Sequence, residues 1–189
     1  ADRRNQQVLD QVERQMFERL YHEAFHAYLE NYVYDGQHHD VPRWLNEGLA
    51  QVFEDGRLES GTLRIDAPRK SALMRLQGDL QSAERLSLAE VLSAEPEVFL
   101  VTHTQKGRAS SRHYLYSWGL AYYLTFNKGI LAADVLEEYV ADSQRSVAPR
   151  KRFEQLVDMP LEDFESAWRK EMLALKPHGE KQPEPDETD

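Results

Sequence analysis

Val8, Val12, Met16, Leu20, Ala24 and Ala27 recur at three- and four-residue intervals, which traces one apolar face along a helix. Few breakers interrupt the chain from Asp2 to about Tyr34, so the pattern predicts one long helix with Gln15, Glu18, Arg19, His22 and His26 to one side of that face. After a turn at Asp35-Gly36, Pro42 stands at or near the first turn of a second helix, where its missing N–H costs nothing. In that helix Leu45, Leu49, Val52 and Phe53 form the stripe expected to be buried, with Glu47, Gln51 and Glu54 facing away.

Downstream the punctuation changes. Gly56, Ser60 and Gly61 precede Thr62-Leu63-Arg64-Ile65, which alternates like a short strand. Residues 69–81 read as a helix, and Ser87 with Glu90 has the form of a capping box opening a short one. Val98 to Val101 fits either a strand or a buried helical end. Residues 105–112 are polar and read as a mobile loop, and an apolar helix follows from Arg112 to Leu124, stopped by Asn127-Lys128-Gly129. Helices are predicted over 132–141, 149–157 and 161–175, the last with Phe164, Trp168 and Met172 on one face. Beyond Lys176 the chain is rich in Pro, Glu and Asp without an apolar anchor, so disorder is expected there. The sum is a mainly α fold with at most a small β element, with residues 1–175 as the domain and 176–189 as a disordered acidic tail.

Composition narrows the function classes. A formal charge of −10 over 189 residues argues against a nucleic-acid surface, which needs clustered Lys and Arg. No apolar run approaches the ~18 residues that span a bilayer. The chain starts abruptly with polar residues after Ala1 and carries no signal peptide, which reads as a processed or excised terminus. The expectation is an extracytoplasmic protein whose N-terminal part is missing from this chain. With no cysteine, any metal must be held by His, Asp or Glu.

Those residues occur in a pattern with a mechanism. His22-Glu23-Ala24-Phe25-His26 reads H-E-x-x-H, and on a helix its histidines leave the same face one turn apart, able to close on one ion. Glu23 falls beside that ion, where a carboxylate can take a proton from an attacking water. A catalytic zinc site needs a third protein ligand and an open position. Glu47, in Trp44-Leu45-Asn46-Glu47-Gly48-Leu49-Ala50, is the candidate, and the interval leaves room for the first helix to end, turn and meet an antiparallel second one. Gly48 would let these two helices approach closely. Glu54 and Asp55 are candidate acceptors for the histidine N–H groups. His38, His39 and Asp40 fit an exposed polar loop better than extra ligands.

On H-E-A-F-H and W-L-N-E-G-L-A the chain resembles the gluzincin metallopeptidases of peptidase clan MA, whose signature is H-E-x-x-H followed at about this distance by N-E-x-x-A or a close relative. Residue by residue, the resemblance implies one Zn²⁺ per chain held by His22, His26 and Glu47, with Glu23 as general base. It implies a zincin-like helical domain acting as a peptidase on a peptide or protein substrate. The alternative is a catalytically inactive zinc-binding scaffold or interaction module. The order of these motifs and of L-S-L-A-E-V-L, Y-L-Y-S-W-G-L-A-Y-Y-L and a closing helix with Trp168 is similar to a poorly characterised bacterial peptidase-MA-like family over most of residues 21–175. Gluzincins place a β-sheet ahead of the active-site helix, and its edge strand holds extended peptide. Here about twenty helical-looking residues precede His22, so the sheet lies upstream or the substrate is held some other way.

The same resemblance points to an oxyanion donor. Gluzincins similar to this chain carry a tyrosine just before an apolar helix downstream of the third ligand, and Tyr114 fits that position, with Tyr116 and His113 behind it. Packing against the core is an equal alternative for Tyr114.

Overall fold

A computed structural model gives the fold of this chain and describes residues 2–54, 57–59, 62–64, 68–100, 107–130 and 134–177. It is mainly α. Helix α1 (Asp2–Tyr28) runs into a π-helical turn over Leu29–Val33 and a short loop before α2 (Arg43–Glu54). A hairpin of three-residue strands, β1 (Arg57–Glu59) and β2 (Thr62–Arg64), pairs antiparallel with Leu58 opposite Leu63. Then come α3 (Lys70–Gln81), α4 (Leu88–Leu92), α5 (Pro96–Leu100), α6 (Gly107–Tyr122), α7 (Asp134–Val140), α8 (Pro149–Val157) and α9 (Leu161–Ala174). No described helix is long and apolar enough to cross a membrane.

The most extensive contact is α2 on α6, and it depends on a missing side chain. A Cβ placed on Gly48 would stand 2.8 Å from the carbonyl carbon of Ser117 and 2.9 Å from the Ala121 Cβ. Glycine thus lets α2 meet the α6 backbone directly. The close approach that the sequence assigned to the two motif helices belongs to this other pair. Around it Trp44, Leu45, Tyr116, Trp118 and Leu120 are buried in one cluster with Phe153, Phe164 and Trp168.

Polar bonds lock the remaining elements to this centre. Tyr116 donates to Asp79 Oδ2 at 2.7 Å while Arg112 grips both Asp79 oxygens at 2.9 and 3.0 Å, tying α6 to α3. That fork is a physical reason why residues 107–112, expected as a loop, are helical: Arg112 must sit in register with Asp79. The Val98-Phe99-Leu100 segment resolves as helix, with Phe99 buried. Ser87 and Glu90 form the capping box expected of them. The segment 105–106 and the tail from 178 lie outside the described residues.

The loop before α2 is stitched from behind by a buried arginine. Arg152 donates from Nε to the Tyr139 carbonyl at 2.6 Å, from Nη1 to Asp40 Oδ2 at 2.7 Å, and from Nη2 to the Asp40 carbonyl. His39 bridges Ala141, and Asp40 N donates to Val140 O at 2.6 Å. Asp40 therefore serves Arg152, and the start of α2 is fixed by contacts from residues 139–152.

On two helices the inward faces differ from those the periodicity suggested. Val12, Met16, Leu20 and Ala24 are exposed, Met16 to 58%, because α1 packs mainly on α2 and turns its histidine-bearing side inward. In α2 both sides are covered, so Glu47 is 1% exposed while Leu49 and Phe53 are only partly buried.

Two predictions follow from this packing. Gly48→Ala should lower stability by about 1–3 kcal/mol, read as a drop in unfolding midpoint, since backbone rather than a flexible tip blocks the added methyl. An unchanged midpoint would mean that α2 and α6 can part without loss. Tyr139 is the second case: burial pushes its phenol up to about 12. Folding favours its neutral form, so this contribution is complete below the unfolded value near ~10 and is lost as pH rises through about 12. Urea titrations should show Tyr139→Phe flattening the alkaline fall by about 2–3 kcal/mol, while costing about 1 kcal/mol at neutral pH for the lost bond from Trp44 Nε1. Equal alkaline slopes in the two proteins would contradict it.

Candidate functional site

The site is assembled from the inward side of α1 and the buried side of α2. On α1 the spacing of four aims His22 and His26 together, with ring centroids 4.7 Å apart and their Nε2 atoms 3.1 Å apart. Glu47 Oε2, from α2, stands 3.5 Å from His22 Nε2 and 3.7 Å from His26 Nε2. It is buried and has no hydrogen-bond partner. The other oxygen, Oε1, is taken by Arg43 Nη2 at 2.9 Å, one helical turn back.

The edges of this triangle are informative. Tetrahedral zinc with bonds of ~2.0–2.1 Å separates its ligand atoms by roughly 3.3–3.4 Å, and the three distances here bracket that value. A buried carboxylate oxygen with no close hydrogen bond, facing two imidazole nitrogens, is costly unless positive charge answers it, from a bound cation or from a protonated imidazole. The residues therefore fit a divalent cation, and His22, His26 and Glu47 could hold it.

The charges are coupled accordingly. His22 is drawn up to about 9, chiefly by Glu47 and then by Glu54, against a desolvation that lowers it. Burial pushes the Glu47 carboxyl up, but His22, His26 and Arg43 more than reverse this and hold it at about 2. At neutral pH the triangle thus pairs an anionic Glu47 with a cationic His22. A proton and a metal ion compete for one pocket of negative potential.

Each imidazole is also held from behind. His26 Nδ1 donates to Asn46 Oδ1 at 2.9 Å, and His22 Nδ1 donates to Glu54 Oε2 at 3.2 Å. Glu54 Oε1 in turn accepts from Arg69 Nη2 at 3.2 Å. These bonds fix both rings with Nε2 forward, the tautomer a ligand needs. Glu54 was legible as a candidate acceptor, and Asp55 lies outside the described residues. The roles of Asn46, Arg43 and Arg69 were not read from the sequence. Arg43 could have been, since it lies four positions before Glu47 on a helix.

The other candidates fall in different places. Glu23 is exposed, one position after His22 on α1. Phe25 packs on Phe53 with centroids 5.2 Å apart, closing one side. Tyr114 donates its hydroxyl to the Phe99 carbonyl at 2.9 Å, and its ring meets Phe99 edge-on. Tyr116 bonds Asp79, away from the histidines. His113 lies against Phe99, with centroids 6.1 Å apart. His38 pairs with Asp35 at 3.0 Å.

Removing the rear supports tests the arrangement. Asn46→Ala and Glu54→Ala should each weaken Zn²⁺ affinity by about 10–100-fold, measured by competition with a chromogenic chelator, without unfolding the chain. Affinity unchanged in both would show that the rings need no such holding.

No curated protein and no solved structure shows significant similarity to this chain. Across residues 18–146, which include both histidines, Glu47 and Tyr114, it matches a family described only as a protein of unknown function (DUF1570), and to that family the chain belongs.

Proposed function

We propose that this chain is a zinc-dependent hydrolase domain that cleaves peptide bonds, as its resemblance to gluzincins implies. The observation that carries the reading is the triangle of His22 Nε2, His26 Nε2 and Glu47 Oε2, with edges of 3.1, 3.5 and 3.7 Å and an unpartnered carboxylate oxygen at one corner. A bound Zn²⁺ would supply a Lewis acid for the scissile carbonyl and lower the pKa of water at its open corner.

The chain's own residues do the remaining work. Arg43 occupies Glu47 Oε1, so Glu47 offers a single oxygen to the ion and leaves a corner for water or substrate. Glu54 and Asn46 hold the imidazoles in the ligating orientation. Glu23, exposed and next to His22 on α1, takes the proton of the attacking water and delivers it to the departing amine. Tyr114 serves as oxyanion donor in this reading only if its hydroxyl leaves the Phe99 carbonyl when substrate enters.

The decisive variant is Glu23→Gln. It should keep one Zn²⁺ per chain by elemental analysis and lose hydrolysis of a peptide library by at least about a hundredfold. Full activity in that variant, or a wild-type chain that takes up no Zn²⁺, would overturn the assignment.

A further inference from the structure

Behind the histidine cluster lies a cavity of about 220 Å³ between α2, the start of α3 and α6. Gln51, Glu54, Arg69, Arg75, Ser111 and Tyr114 line it, with Trp118 at its floor. Two guanidinium groups meet one carboxylate there, in a chain whose overall charge is −10. The local balance is thus opposite to the global one.

That carboxylate is already spent. Glu54 accepts from His22 with one oxygen and from Arg69 with the other, so its charge is matched inside the protein. Arg75 pairs with no acid among the described residues and is exposed at the cavity. The lining therefore presents the positive charge of Arg75, which suits a planar anion: guanidinium and carboxylate form two parallel charge-assisted hydrogen bonds. The volume is below the ~300 Å³ at which pockets begin to enclose a whole small ligand, so it suits one residue of a longer molecule. Glu54 is a wall shared by this cavity and the His22 imidazole, so the cavity adjoins the histidine site.

We propose that this cavity is a specificity subsite that takes a carboxylate group of the substrate peptide, with Arg75 as its ion partner. The proposal rests on the peptidase reading and names what that site selects. The carboxylate is either the peptide's C-terminus or an acidic side chain, and the two sources can be separated.

Isothermal titration of the zinc-loaded Glu23→Gln chain with three acetylated tripeptides makes the test. One carries a free C-terminus and neutral side chains, one is amidated and neutral, and one is amidated with a single aspartate. At least one carboxylate peptide should bind about tenfold more tightly than the neutral amide, and which one does so identifies the source. Adding Arg75→Gln should erase that preference, and Arg75→Lys should keep part of it. A preference that survives Arg75→Gln overturns the proposal, as does equal binding of all three or no binding of any. Turnover is not needed for this readout. Selective binding with no cleavage by the wild-type chain would remove the hydrolase and leave the subsite, while cleavage without selectivity would do the reverse.

Discussion

A carboxylate held at 1% exposure must be answered by positive charge, and the geometry around Glu47 is that answer. Arg43 meets one oxygen from the same helix, and two imidazoles from the neighbouring helix face the other. Moving α1 away would strand the charge, and moving α2 outward would undo the contact of Gly48 with Ser117. The position of α1 on α2 is thus set by electrostatics at one end of a contact whose other end is set by sterics.

The scaffold divides accordingly into a rigid part and a lightly held one. Helices α2, α3, α6 and α9 share a core sealed by tryptophans and by the Asp79 node, and α8 reaches through Arg152 to pin the loop leading into α2. Trp168 adds its Nε1 bond to the Gly119 carbonyl at 3.3 Å. Among its described side chains helix α1 has none that is buried, the first being Leu29 in the turn that follows it, where Tyr32 is 82% exposed. The Glu47 carboxylate on the rigid part therefore faces the two imidazoles of His22 and His26 on the lighter part.

Much of this was legible in the sequence where local chemistry decides the outcome. The capping box at Ser87, the proline before α2 and the stop near Gly129, whose φ is +64°, depend on a few adjacent residues, and the helices they bound appear where expected. The pair of histidines at a spacing of four likewise needs only a helix. Burial was harder to read because it depends on what lies opposite. The stripe through Val12, Met16 and Leu20 has the right period but faces outward, and Glu47, read as the third ligand on the side away from the buried stripe of α2, is itself buried. Arg69 reaches Glu54 from fifteen positions away, and Arg112 reaches Asp79 from thirty-three, distances at which a single sequence carries no signal.

The division of the ligands between two helices has a mechanical consequence. A cation held at once by His26 and Glu47 would close the stretch of chain between them like a rivet, pinning α1 to the core. Binding energy then becomes folding energy, growing with the logarithm of free ion concentration, so metal supply would govern how firmly α1 docks as well as what chemistry takes place.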